Sequence, residues 1–564
     1  MRKTLFLLAA LFIAVATHGA KDIKSLSSIV TVITTDKKGQ TMGRSLGFVV
    51  PADTAHGNVI NVLAPYGLFK HAAAATATDR SGKRYPAKRI SGANDLYDVV
   101  GFSLADDAKL SPLSIATAKL AKGDKAVVLT GITDKKKPVT EVTVEDASQF
   151  GGLTYYTLSN KADTALIGSP LLNKNDEVVG VIQKSATGEG DKMYAIGIEF
   201  WGALTISTIS AADPSANNIY IPKLLPKDEN QAKSYIYLFG TNSTDSVSLL
   251  ANMGDYIAAF PTSSYGYVRR AEFYLTQGKF QDAEADYNKA LEVCDDKADV
   301  HYNMSTAFYH LNQRKAYKPY KDWTLERALD EANKAYEIQA SPFFLMHKAK
   351  CLYALKRYME SYETYDGINK TEFRSAENLF AQSRSLEMAK GDTVRILALL
   401  DSTVAMFPQP YKSDAAAYVY YRAQQYDRYG RHREAVFGYM DYQEIVGIKN
   451  LNDRFFYIKE QAEVKSDFYP QALADIERAI AVNPKESVYF IEKALIEVRM
   501  GNYEDAVYSA KKAQSLAPDD SDCYKLMGIA YGELGNKAEA RKNLQKAIEL
   551  GDEEAKNWLD SMKK

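Results

Sequence analysis

The sequence has almost no cysteine. Cys294, Cys351 and Cys523 are the three in 564 residues. They are odd in number, far apart and without Cys-x-x-Cys spacing, which argues against a disulfide framework or a cysteine-based zinc site; each reads as a small core hydrophobe. Histidine is also sparse, at seven residues. No pair has the i, i+4 spacing of a helical metal site, and His301, His310, His347 and His432 read as core or surface residues on helices. No phosphate-binding GxxxxGK[ST] loop occurs, so neither a cofactor nor a metal is expected. Neither sign of charge dominates: 70 Lys and Arg face 71 Asp and Glu, a net charge of -1, which gives no reason to expect nucleic acid or anionic lipid as a partner. Beyond the first twenty residues there is no run of eighteen apolar residues, so no integral membrane segment is expected there.

What is present is ordinary in bulk. Hydrophobic residues make up 46% and charged residues 25%, as in soluble globular proteins, and the length suits two to four domains. Tyrosine is frequent, at 38 residues. Residues 1–20 have the pattern of a signal peptide: Arg2 and Lys3, an apolar run from Leu5 to Val15, then small residues at Ala16, Gly19 and Ala20. The expectation is an exported protein that is periplasmic, cell-surface or extracellular.

The C-terminal half carries a 34-residue period. Ala472, Ala506 and Ala540 share it, as do Ala479, Ala513 and Ala547, Pro484 and Pro518, and Gly501 and Gly535. Small residues seven apart on one helix let a second helix approach closely. Gly501 and Gly535 suit the turn between two helices, and the prolines stop the second helix before the next unit. With Tyr524, Met527, Gly528 and Tyr531, this pattern resembles the tetratricopeptide repeat. An earlier unit runs through Tyr267, Ala271, Tyr274, Gly278, Ala283, Tyr287 and Ala290, and another through Ala423, Tyr426, Gly430, Ala435 and Tyr439. Looser units occupy 298–340, with an insertion around Lys315 to Trp323, then 342–370 and 375–408. The reading is an α-helical solenoid over 232–564, of about eight helix pairs, closed by a capping helix from Glu553 to Lys564. Such stacks form grooves that take extended peptides or a partner helix, so protein or peptide partners are expected.

Residues 22–205 read as all-β. Short β-branched runs at Ile29–Thr35, Leu46–Val50, Val59–Leu63, Val99–Leu104, Lys125–Leu129, Val139–Val144, Val178–Ile182 and Met193–Ile198 alternate with turn residues. Four stretches in order carry a resemblance to trypsin-like serine proteases of the HtrA type: Gly43 to Val50, Ile60 to Ala72 (INVLAPYGLFKHA), Asp95 to Leu104 (DLYDVVGFSL) and Ala165 to Ile182 (ALIGSPLLNKNDEVVGVI). The resemblance implies a double β-barrel. It also implies a catalytic triad, and here the sequence departs from the family. Asp98 stands where the family has its Asp. The His position falls within Ala64-Pro65-Tyr66-Gly67, on Ala64 or Gly67 depending on register. Ile167 stands where the nucleophilic Ser belongs, with Gly168 and Pro170 keeping the frame and Ala165 replacing a Gly. Without a hydroxyl to attack and an imidazole to take its proton the mechanism has no agent, and such losses cost on the order of a million-fold in rate. Amides near Ala165 and Ile167 are candidates for an anion-binding nest. A displaced triad would have to use Ser169 with His71, or the nearby His56.

Lys135, Lys136 and Lys137 read as a solvated hairpin tip, and Asn242-Ser243-Thr244 fits a glycosylation sequon. Residues 206–231, rich in Ser, Ala, Asn, Pro and Lys, read as a linker of limited order whose apolar part, Ile219 to Pro226, can pack as an extended strand. Three functional readings stand: an exported interaction scaffold with a catalytically empty protease-like domain; an active serine endopeptidase with a displaced triad that recruits substrate through its repeats; or an array merely capped by the β domain.

Overall fold

The computed structural model describes residues 24–52, 59–105, 108–130, 138–184, 192–242, 246–313 and 320–561. The leader at 1–20, His56, Lys135 to Lys137, Ser243 and Thr244 of the sequon, and the first part of the insertion at Lys315 lie outside them. Twelve strands form two closed antiparallel barrels. The first comprises β1 (Ile29–Thr35), β2 (Thr41–Val50), β3 (Asn61–Ala64), β4 (Ala74–Thr78), β5 (Arg84–Asn94) and β6 (Val99–Leu104), in the order β1-β2-β3-β6-β5-β4. The second comprises β7 (Lys125–Leu129), β8 (Val139–Phe150), β9 (Leu153–Leu158), β10 (Pro170–Leu172), β11 (Val178–Gln183) and β12 (Met193–Gly197), in the order β10-β11-β12-β9-β8-β7. The alternation that predicts β1 is also what fills a barrel: Val30 and Val32 point inward, fully buried beside Val62, Ile90 and Phe102. A second core lies where the barrels meet. It joins Phe48, Leu63 and Val99 of the first to Leu172, Val181 and Ile196 of the second. Each such side chain contributes about 1.5–3 kcal/mol by leaving water.

Each of the eight predicted runs overlaps a strand, although Val59 and Ile60 precede β3 and Ile198 follows β12, and four strands were not expected: β4, β5, β9 and β10. β4 is the alanine-rich AATAT, β5 carries Pro86 and several polar residues, and β10 has three residues and begins at Pro170. β4, β5 and β10 owe their pairing to barrel closure rather than to local propensity, whereas β9, LTYYTL, has strand-forming residues and alternating burial of its own.

The stretch 206–231 is not a loose linker. It contains the short helical turns Thr208–Ala211 and Pro214–Asn217, and then a strap along the first barrel. Tyr220 donates to Ala72 O at 2.8 Å, Ile90 donates to Pro222 O at 2.8 Å, and Leu224 donates to Ile90 O at 2.7 Å. Lys223 pairs with Ile90 as a parallel bridge, and Ile219 and Ile221 are buried in that barrel's core. The apolar residues between prolines explain the order: they supply core, and the β5 backbone takes up their polar groups.

Helices follow from Glu229 to Ser561. Among the described residues there are nineteen, which make nine antiparallel pairs and a last helix, Glu554–Ser561, one pair more than the spacing suggested. The chain divides into two compact units at Val300. In the first, the pairs Glu229–Asn242 with Ser246–Ala259 and Ser264–Thr276 with Phe280–Val293 accompany the barrels. There Arg89 on β5 forks onto Asp255, Nε to Oδ2 at 2.6 Å and Nη2 to Oδ1 at 2.8 Å. In the second unit the repeat logic is explicit. Ala472, Ala479, Ala506, Ala513, Ala540 and Ala547 are all fully buried between helices. A Cβ on Gly528 would stand 2.7 Å from Leu544 Cγ, so the helix Ser521–Glu533 needs glycine there to seat on Lys537–Glu549. In seven of the nine pairs the turn takes a left-handed residue: Gly278, Gly430, Gly501 and Gly535, but Lys356, Lys390 and Asp467 in the other three. The three cysteines are free and buried.

Candidate functional site

The positions that the resemblance marks as triad equivalents lie near the seam of the two barrels. β3 ends at Ala64, which is buried, and Pro65 leads into the turn Tyr66–Leu68, where Gly67 is exposed. Asp98 closes the turn between β5 and β6 with φ +47°, a conformation sparsely allowed for a residue with a Cβ. Its Oδ1 accepts the Gly67 N–H at 2.7 Å. Of the two candidate positions, Gly67 therefore stands against the carboxylate. Burial raises the Asp98 pKa above the usual carboxylate value; the Gly67 N–H, the charge of Lys184 and the Tyr66 N–H oppose this.

The second barrel reaches the same place through the turn Thr164–Leu166 and the residues after it. Ser45 donates to Ile167 O at 2.9 Å. Gly168 has φ +85°, and any Cβ there would collide with Leu46 O and stand 2.8 Å from Pro65 Cδ. Only glycine lets the Ile167–Gly168 turn sit on the β2 backbone and on the residue that opens the Tyr66 turn. Thus Gly67, Asp98 and Ile167, chosen from three distant stretches, belong to one locality.

The fallback pair is not brought together. Ser169 is fully buried and its Oγ makes no hydrogen bond. His71 is exposed with φ +68°, and its ring lies 6.0 Å from that of Tyr220 on the strap. The expected anion nest is also corrected. The Ala165 N–H is taken by Asp163 Oδ1 at 2.9 Å, the Ile167 N–H by Thr164 O at 3.5 Å, and the Gly168 N–H by Ile182 O at 2.9 Å. These amides are committed to the turn and are not aimed at a ligand.

In the first repeat with a full signature, Ala271, Ala283 and Ala290 are completely buried and Tyr267 nearly so, while Tyr274 is half-buried. Gly278 makes the left-handed turn. Among the helical histidines, His301 Nδ1 meets Glu331 Oε2 at 2.5 Å, His432 Nδ1 meets Asp427 Oδ1 at 2.7 Å, and His347 is buried with Nε2 2.8 Å from Ser305 Oγ. Burial pushes the His347 pKa down to about 4, so it is neutral. Among the described residues no three His, Cys, Asp or Glu side chains converge as metal ligands, and no helix is long and apolar enough to cross a membrane.

Sequence reasoning missed a charged core in the pair Asp453–Lys465 and Tyr469–Val482. Lys459, Glu460, Glu463 and Asp475 are all buried there. Lys459 Nζ lies 2.7 Å from Asp475 Oδ2 and 3.4 Å from Glu463 Oε1. Burial, with Glu492 next, pushes the Glu460 pKa up to about 8, and burial beside Asp475 raises that of Glu463. The signal was available: Lys459 and Glu463 recur 34 residues later as Lys493 and Glu497.

The chain carries tetratricopeptide repeats: sequence profiles of that repeat match residues 265–297, 461–521 and 521–550. No curated protein sequence matches the chain. Among solved structures, YrrB, described as a TPR protein with an unusual peptide-binding site, is 19% identical over 36% of this chain and 99% of its own, with a TM-score of 0.29. MamA is 22% identical over 30% of this chain and 96% of its own, with a TM-score of 0.26. The active form of the Rv3671c protease from M. tuberculosis is 18% identical over 32% of this chain and 82% of its own, with a TM-score of 0.27.

Proposed function

We propose that this is an exported protein-interaction scaffold whose repeats hold peptides or partner proteins and whose trypsin-like double barrel has lost catalysis while keeping a peptide-binding cleft. The repeats support the interaction role, since stacked helix pairs present extended concave surfaces. One observation carries the loss of catalysis: Asp98 hydrogen-bonds the backbone of Gly67, which has no side chain, beside a turn that carries Ile167. An imidazole and a hydroxyl are both missing where the carboxylate would orient them. The leader-like residues 1–20 support export.

The test uses the full-length chain. A fluorophosphonate probe should leave it unlabelled, and unfolded casein should remain intact after prolonged incubation. Labelling at Ser169 would replace this reading with the active endopeptidase. For the repeats, cross-linking in the native host should map partner contacts to the first helices of successive pairs, such as Ser487–Met500 and Ser521–Glu533, which touch one another. Contacts confined to the β domain would reduce the array to a support.

A further inference from the structure

We infer that Asp98 and the open space over Gly67 form a subsite for a cationic side chain, specifically the guanidinium of an arginine in an extended peptide. This rests on the reading of the barrel seam as a peptide-binding cleft and adds what that cleft selects.

The carboxylate is half-buried, yet the hydrogen bond it accepts comes from backbone, the Gly67 N–H, and the Tyr66 N–H that also steadies its charge is backbone too. An ionised carboxylate offers about four lone-pair sites, so two N–H donors leave acceptor capacity unused. Lys184 acts on it only through its charge, and among the described residues no Lys or Arg stands within ion-pair distance of it. Partial burial without a counter-ion is costly, and a cation from outside removes that cost.

The approach is open. A Cβ placed on Gly67 would meet one atom within 4 Å, Asp98 Oδ1 at 3.5 Å, and Gly67 is itself exposed. Ligand atoms can therefore occupy the volume that any other residue at 67 would fill. The position of the carboxylate is fixed: Asp98 is held at φ +47°, its N–H bonded to Asp95 O at 3.3 Å and Oδ1 to the Gly67 N–H. The adjoining Tyr97 is anchored through its hydroxyl to Gly151 O at 2.9 Å and lies edge-on to Phe150 at 6.4 Å. A fixed carboxylate with unused lone pairs suits the planar, several-donor fork of a guanidinium better than a compact ammonium.

The experiment compares two probes on the full-length chain by NMR or calorimetric titration: the peptide acetyl-Gly-Ala-Arg-Ala-Gly-amide and its citrulline isostere, which keeps the shape and loses the charge. The arginine peptide should bind roughly tenfold tighter, as expected for one charge-assisted hydrogen-bonded pair. Asp98→Asn should abolish that preference. Asparagine tolerates the left-handed backbone and keeps an oxygen for the Gly67 N–H, so the fold should be retained. Gly67→Leu, which fills the space, should weaken the arginine peptide while leaving Asp98 in place. An arginine preference that survives Asp98→Asn overturns the subsite. Equal binding of both peptides, lost on Gly67→Leu, overturns the subsite but keeps the cleft. Binding of neither peptide overturns both.

Discussion

Two repeats in the second compact unit share a backbone and differ in what fills the space between their helices. In the pair Ser521–Glu533 with Lys537–Glu549, the packing positions are Met527, Gly528 and Tyr531. In the pair Asp453–Lys465 with Tyr469–Val482, two periods earlier, those positions are Lys459, Glu460 and Glu463. The intervening unit is intermediate, with Lys493, Ala494 and Glu497. Both helix pairs nonetheless form, because the buried alanines of the second helices, Ala472 and Ala479 or Ala540 and Ala547, still permit close approach. The repeat geometry is therefore set by its small residues, while the stability of a unit depends on what surrounds them.

Replacing the buried cation of the charged unit should have the largest effect. Lys459→Met imitates Met527 but leaves Glu463 without a counter-charge and Asp475 with Arg478 alone, and should cost about 3–5 kcal/mol in denaturant unfolding at pH 8. The loss should shrink toward pH 5, where Glu463 is protonated. Equal losses at both pH values would show that the charges do not govern this unit. Next, Gly528→Val should cost about 2–3 kcal/mol, because its Cβ would press on Leu544; a neutral result would mean that the uncharged unit is loosely packed after all.

Glu460→Gln should act in the opposite direction. The folded-state pKa, about 8, lies above the ordinary value, so the folded chain prefers the protonated acid. Stability is fully present below about pH 4.5 and falls as pH rises toward 8. The substitution should therefore stabilise by on the order of 1–2 kcal/mol at pH 8 and little at pH 4.5. Melting temperatures of the two proteins at both pH values check this, and a pH-independent difference would contradict it. The smallest effects belong to the turns. Asp467, with φ +60°, occupies the place of Gly501 and Gly535. Asp467→Gly should gain, and Gly501→Ala should lose, about 1 kcal/mol or less, read from the same melts.

The sequence was legible where geometry leaves no choice of residue. The alanines and glycines of the 34-residue period are forced by helix approach and by positive φ, and they showed the solenoid. The first helix of the charged unit escaped because Lys459, Glu460 and Glu463 stand where apolar or small residues were sought, and its turn carries Asp467 rather than glycine. β1 and β6 were legible from β-branched runs. β4 and β5 were not, since their pairing is imposed by closure of the barrel. At the seam, motif order named Asp98 and the frame around Ile167 as neighbours of the Ala64–Gly67 stretch. The hydrogen bond that sets Gly67, rather than Ala64, against Asp98 was not legible. It depends on how a β3 turn and a β5–β6 turn meet in space.

The strap at Ile219 to Leu224 has a mechanical consequence. Its backbone bonds to Ala72 and Ile90 run crosswise to the chain direction. Tension drawn along the strap loads them together, in shear, rather than peeling them off one after another. Ile219 and Ile221 would also have to leave the buried core that they share with the barrel. A tug entering through the first helix pair thus meets a latch before it can open the barrel, and the latch lies on the sheet that supplies the turn bearing Asp98.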